Sequence, residues 1–465
     1  MKRNIYKITL CLMLSFLAFS CTEEDLDPTL SQNKDIETNI TSVGDLEALL
    51  KGAYNRMSIS TYYGRDVIIF DEVRSDNAYS NANSNRFVNV AEMNLTIEAA
   101  YASDTWQQIY ATIASANIII GAEVSSDDAA EQQMINHITG QAYAIRALAH
   151  FDLLTLYGQQ NVDGGDMSSL GVPYVVTFKD GENLFPPRNS VQEVKDLAVS
   201  DLETANSLMS VALNDPGKQY ITTYAVDGIM ARIGLYFEDW DLAESAAGRV
   251  VMSSKFEVAA KDDFIGTFNV DSAPNSVFEI ANSDVDNQGI DGLANIYQDT
   301  NYGDIAVLED LVNIYETGDV RGLGGIITED GDGAYRNTGK YPSIGVFEDN
   351  VSIIRYEEVV LIYAEALLEN GSSEALTYLN MIPENRGATA YTAATKENIL
   401  LERRKELAFE GFRFDDLART GSDIPLVDPI LQTHGGPSYG SYNYAFPIPS
   451  AEVLANSNIV QNTGY

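Results

Sequence analysis

Basic residues are scarce in this chain. Among 465 residues, 29 Lys and Arg face 68 Asp and Glu, a formal net charge of −39. A field of that sign repels phosphate backbones, so nucleic acid is excluded as a partner, while neutral sugars are indifferent to it. Histidine and cysteine are also rare, with three and two residues. His137, His150 and His434 lie far apart. With no zinc spacing, phosphate loop or G-x-S-x-G elbow present, neither a cofactor nor a metal is expected. Residues 284–289 begin like a calcium loop with Asp284, Asp286, Asn287 and Gly289, but Asn295 stands where the closing Glu belongs, and a turn is expected. The many carboxylates offer no spacing that singles out a glycosidase pair, so no catalytic residue is assigned and the chain reads as a non-enzyme. Beyond the first twenty residues no apolar run reaches membrane-spanning length.

The start of the chain is different. Lys2, Arg3 and Lys7 precede an apolar run over residues 8–19 that is too short to span a bilayer, and residues 1–20 read as an export signal. Cys21 follows Leu17, Ala18, Phe19 and Ser20, which resembles the lipobox of bacterial lipoproteins, although Phe19 and Ala18 depart from it. The other cysteine, Cys11, falls inside the discarded segment, so the mature chain has no intramolecular disulfide. Cys21 is therefore expected to be the lipidated N-terminus. The acidic residues Glu23, Glu24 and Asp25 are similar to the tag that sends lipoproteins to the outer face of the outer membrane, and residues 21–40 read as a solvated tether. Loss of the signal leaves a formal charge of about −42 on the mature chain.

Residues 41–465 read as one body, mostly α. Leu46, Leu49, Leu50, Ala53 and Met57 recur at helical spacing within residues 43–57. The clearest pattern covers residues 223–254. Val226, Ile229, Met230, Ile233 and Phe237 share one face, a turn falls at residues 239–241, and small residues such as Ala243 and Ala247 let a second helix approach closely. This spacing resembles a tetratricopeptide hairpin. Further helices are expected over residues 137–157, 353–370 and 396–410. Between them, residues 60–100, 159–190, 258–350 and 420–450 are rich in Gly, Asn, Asp, Pro and Tyr. They read as loops with short strands, and the stretch at about 258–350 reads as an inserted irregular lobe.

Several blocks occur in an order that resembles the SusD/RagB family along nearly all of the mature chain. They are Trp106 to Tyr110 with Asn117; residues 141–158 with Arg146, His150, Phe151 and Tyr157; and Gly171, Pro173 and Tyr174. Arg188, Ser190 and Glu193 follow, then Arg355, Glu357, Glu358 and Glu365, and then Arg403, Arg404, Glu410, Gly411, Arg413, Asp415 and Asp416. The end, from Phe446, Pro447 and Pro449 to Gln461, Asn462, Gly464 and Tyr465, is the closest match, with Asn458 where proline is commoner. The resemblance implies a surface glycan-binding protein that delivers oligo- or polysaccharide to a TonB-dependent, SusC-like outer-membrane transporter. The charged residues of the 403–416 block read as a structural network that pairs within itself.

A glycan is held by aromatic faces and planar polar side chains, and two loops supply both. Residues 71–87 contain Asp76, Asn77, Tyr79, Asn81, Asn83, Arg86 and Phe87, and residues 295–304 contain Tyr297 and Tyr302; both lie, in the family's order, in regions of glycan contact. The candidate ligand-binding residues are Asp76, Asn77, Tyr79, Asn83, Arg86, Phe87, Tyr297 and Tyr302. Trp106 and Trp240 fall in helical blocks and read as core, so the tryptophan platform of the family's starch binder is missing. Two rival readings use the same scaffold: a binder of peptides or another nutrient, and a transporter lid without affinity of its own. A pure scaffold predicts that Tyr79, Phe87, Tyr297 and Tyr302 are scattered.

Overall fold

Helices account for most of the regular structure in the computed structural model, which describes residues 40–179, 181 and 183–465. The expected export segment, Cys21 and the expected tether up to residue 39 lie outside the described residues. α1 (Val43–Met57) is followed by the short α2 (Asp66–Val73) and α3 (Val88–Ala91), then by the long α4 (Ala100–Ile120) and α5 (Ala129–Tyr157). α6 (Val191–Leu208), α7 (Thr223–Tyr236) and α8 (Trp240–Met252) continue the series. Two five-residue helices, α9 (Leu293–Tyr297) and α10 (Glu309–Asn313), come next. α11 (Tyr356–Glu369), α12 (Ala375–Glu384), α13 (Lys396–Leu407), α14 (Arg413–Arg419) and α15 (Ser450–Ala455) complete it. No helix among the described residues is long and apolar enough to cross a membrane.

Residues 42–465 form one compact unit in which each long helix packs on the next: α4 on α5, α5 on α6, α6 on α7, α7 on α8, then α8 on α11 and α11 on α12. Local sequence sets the helix starts. Ser42, Asp128, Thr222, Asp239 and Thr395 each accept a backbone N–H of the first turn, and Ser190 with Glu193 forms a capping box. The α7–α8 hairpin is as close as its small residues suggested. A Cβ at Gly234 would lie 2.6 Å from the backbone nitrogen of Ala243, so the approach depends on glycine.

Three expected boundaries move for identifiable reasons. The helix expected from residue 137 begins at Ala129, capped by Asp128. The hairpin turn lies just before residue 240, because Asp239 caps α8 by accepting the Leu242 N–H. The helix expected from residue 353 is preceded by strand, because residues 351–355 pair with another segment, and α11 starts only at Tyr356. Among the described residues, six short strands form two sheets: β1 (Ala78–Ser80), β2 (Ser276–Ile280), β3 (Ile305–Val307), β4 (Ile327–Glu329), β5 (Tyr335–Asn337) and β6 (Val351–Arg355). The four-stranded sheet runs β1-β3-β5-β4, all antiparallel, and β2 pairs with β6 across an irregular register.

A buried ionic network joins the second sheet to the helices. Glu406 accepts from Arg321, Arg355 and Arg386, Glu410 from Arg355 and Lys340, and Glu402 from Arg321, all in the interior. The 403–416 block is therefore structural, but only Arg403 and Asp416 pair within it. Its other members reach outward: Arg404 to Asp76 and Asp310, Arg413 to Asp76, and Glu410 to Lys340 and Arg355.

Candidate functional site

The two candidate loops, more than two hundred residues apart in sequence, meet. β1 pairs with β3 so that Tyr79 lies opposite Ala306 and Ser80 opposite Ile305. Past the strand ends, polar side chains continue the join. Asn81 donates its backbone N–H to the Asp304 carbonyl and its side-chain amide to the Gly303 carbonyl, both at 2.8 Å. Asn83 donates to the Asn301 carbonyl at 2.9 Å. Asp304, fully buried, accepts the Ser84 backbone N–H and hydroxyl. A loop so anchored holds unusual backbone angles: Ala82, Asn85 and Phe87 all have positive φ, at 59°, 64° and 59°. Such conformations cost free energy and persist only where surrounding contacts enforce them.

At the rim, the Arg86 guanidinium lies 4.5 Å from the centroid of the Tyr302 ring and donates to Asp291. This couples the 80s loop, the 290s and the 300s in one patch. Tyr302 and Arg86 are half-buried and Asn83 is exposed, so all three present surface to solvent. Tyr79 is also half-buried. Burial raises its hydroxyl pKa, opposed by Arg336, and Asp330 and Asp428 also bear on it. The patch offers an aromatic face, a guanidinium, amide groups and carboxylates, which is the chemistry that stacks on a sugar ring and bridges its hydroxyls.

The other four candidates are turned inward. Asp76 is 2% exposed and accepts a bidentate pair from Arg413 at 2.6 and 2.9 Å. Burial alone would raise its carboxyl, but Arg413 and Arg404 outweigh it and hold the group below the usual carboxylate range. Asn77 donates to Glu72 and accepts from Arg404, each at 3.0 Å. Phe87 stacks on Tyr101 at 4.9 Å, with Phe70 edge-on and its own N–H donated to the Tyr101 hydroxyl. Tyr297 stacks on Tyr341 at 5.9 Å and is fully buried, its hydroxyl without a hydrogen-bond partner. These four are buried and do not reach the surface. Asp76 and Asn77 precede β1 and Phe87 follows it, so their tertiary partners, and not strand alternation or composition, turn them inward. The supporting residues Asp291 and Asp304 carried no sequence signal, since their role depends on partners more than two hundred positions away.

Other expected features resolve simply. His137 and His150 are buried, and burial lowers His150 to about 3 while its ring stacks on Tyr174 at 3.7 Å. Trp106 is core, but Trp240 is half-buried at the start of α8 with the Lys396 ammonium over its ring. At the calcium-like stretch, the Asn287 side chain accepts from Gly289 and donates to the Ser283 carbonyl, which makes a closed turn.

Residues 333–465 match the SusD family, and residues 27–235 match a family described as starch-binding and associating with the outer membrane. The chain belongs to the SusD/RagB family. SusD-like protein P2 of Formosa agariphila is 25% identical over 99% of both chains. The starch-binding protein SusD of Bacteroides thetaiotaomicron is 30% identical, over 28% of this chain and 24% of its own length. Among solved structures, a putative sugar-binding protein of Bacteroides vulgatus superposes with a TM-score of 0.83 at 26% identity, covering 92% of this chain and all of that one. SusD-family proteins are non-catalytic binding proteins, associated with the outer membrane, and surface glycan binders occur among them. This SusD-family member has their mostly helical architecture.

Proposed function

We propose that the protein captures a glycan at the cell surface and delivers it to a TonB-dependent, SusC-like transporter. The observation that carries the reading is the joining of the 78–87 and 301–304 segments around the Arg86–Tyr302 contact, which brings Asn83, Arg86 and Tyr302 together at one accessible surface, with Tyr79 half-buried on the paired strand β1. Capture is by stacking and hydrogen bonding, without a covalent step. In this reading residues 1–20 direct export, Cys21 carries the lipid, residues 21–40 tether the body outside the outer membrane, and residues 41–465 form the SusD-like body, with an irregular lobe at about 258–350. The strongly negative chain favours a neutral glycan over a polyanion.

A screen of the purified protein against neutral, anionic and peptide ligands, by retardation in affinity gels, tests this. Selective retardation by a neutral glycan is expected. Retention by peptide mixtures and by no glycan would reassign the surface to peptide capture.

A further inference from the structure

A second feature is a partly open pocket lined by α2, α5, α7, β6, α13 and α14, with room for about 70 Å³. A single water needs roughly 10–15 Å³ on this measure, so the space suits roughly five waters or one molecule of about five heavy atoms. Tyr63, Phe151, Tyr236 and Phe412 supply aromatic walls.

The charges around it do not balance locally. Arg232 is held by Glu358, Arg419 by Glu365 and Asp416, Arg403 by Asp416, and Arg74 by Asp71. Glu410, at the edge, is matched by Arg355 and Lys340. Two half-buried carboxyls on the wall have no ion pair in direct contact. Asp152 accepts from the tyrosine hydroxyls of Tyr62 and Tyr63 with Arg232 acting on it only from farther away, and Asp415 makes no hydrogen bond or ion pair among the described residues, with Arg74 as its more distant cation. The same wall contains an unused donor: Arg403 is 2% exposed, and its Nη1 is buried with no partner. Leaving such groups unmatched is costly, so their collection around one void calls for a complementary occupant.

We propose that this cavity is a binding site for a small hydroxylated primary amine. Its ammonium sits between Asp415 and Asp152 with the aromatic rings around its carbon skeleton, and its hydroxyl oxygen accepts from Arg403 Nη1. The site is separate from the Arg86–Tyr302 surface and takes a different ligand. Protons compete for the same carboxyls: burial raises Asp71 and Asp152 to about 6 and pushes Asp415 well above the carboxylate range, and an ammonium restores their charge.

Ethanolamine titrated into the purified protein at pH 7.5 by calorimetry tests the site, with ethylene glycol as the uncharged control and Asp415→Asn as a variant of equal size. Saturable binding of ethanolamine is expected, with none of ethylene glycol, and a loss of about tenfold or more in Asp415→Asn. Binding should also weaken on lowering the pH to 5. Asp415→Asn removes a carboxyl that makes no hydrogen bond or ion pair, so its melting temperature should equal or exceed that of the parent; a matching melt shows that any lost binding is not lost fold. Absence of ethanolamine binding, equal binding by Asp415→Asn, or equal binding of ethylene glycol would overturn the proposal and leave the cavity to water.

Discussion

Asp304 accepts the Ser84 backbone N–H at 2.7 Å and the Ser84 hydroxyl at 2.6 Å, although the two residues are 220 positions apart. One buried carboxylate thereby fixes the turn that carries Asn83, Asn85 and Arg86. Asp304→Ala should release the strained backbone of Ala82 and Asn85. Glycan retention is expected to weaken by about tenfold while global stability falls by about 1–3 kcal/mol. Affinity gels and denaturant melts read the two effects separately.

Tyr297 is a core residue with an unused hydroxyl. Tyr297→Phe keeps the stack on Tyr341 and removes a buried group that has no partner. Stability should be unchanged or rise by about 1 kcal/mol, with glycan binding intact. A urea midpoint compared with that of the parent checks this.

Arg386 grips Glu406 through Nε and Nη2 at 2.9 and 3.0 Å, in a network closed to water. Although burial opposes ionisation, Arg386, Arg355 and Arg321 keep the Glu406 carboxyl far below the usual range. Glu406→Gln leaves three guanidiniums short of one negative charge. It should cost about 3–5 kcal/mol, measurable as a large drop in the denaturation midpoint.

The buried acids give stability an acidic optimum. Burial raises Asp66, Asp71 and Asp152 to about 6 and Glu72 to about 7. Because these folded-state values lie above the unfolded ones near 4, their contribution is full below pH 4 and is lost as pH rises through 6 to 7. Asp76, Glu406, Glu410 and Asp416 are depressed by their arginine and lysine partners against the opposing effect of burial, and their contribution is lost as pH falls below 4. Thermal melts should therefore peak between these limits, with the melting temperature at pH 5.5 above that at pH 7.5 by about 5 °C.

The helical scaffold was legible because its signals are local. Leu46, Leu50, Ala53 and Met57 state their face by spacing alone, and Ser190 with Glu193 states a helix start. Strand β6 was hidden inside a helical pattern, because only its partner β2 makes it a strand. At the candidate site, composition singled out two loops that the fold brings together, but not which of their side chains face water. Asn77 and Asn83 share a residue type and differ in their tertiary partners. The Arg86–Asp291 and Ser84–Asp304 contacts span distances that no short-range pattern encodes.

The central claim rests on the exposed patch that holds Tyr302 and Arg86. Calorimetric titration of the retained glycan into the parent protein and Tyr302→Ala, both with matching melts, tests it most directly. A loss of about tenfold or more is expected, because one stacking face and its cation contact are removed together. Unchanged affinity in Tyr302→Ala would place glycan capture elsewhere on the molecule.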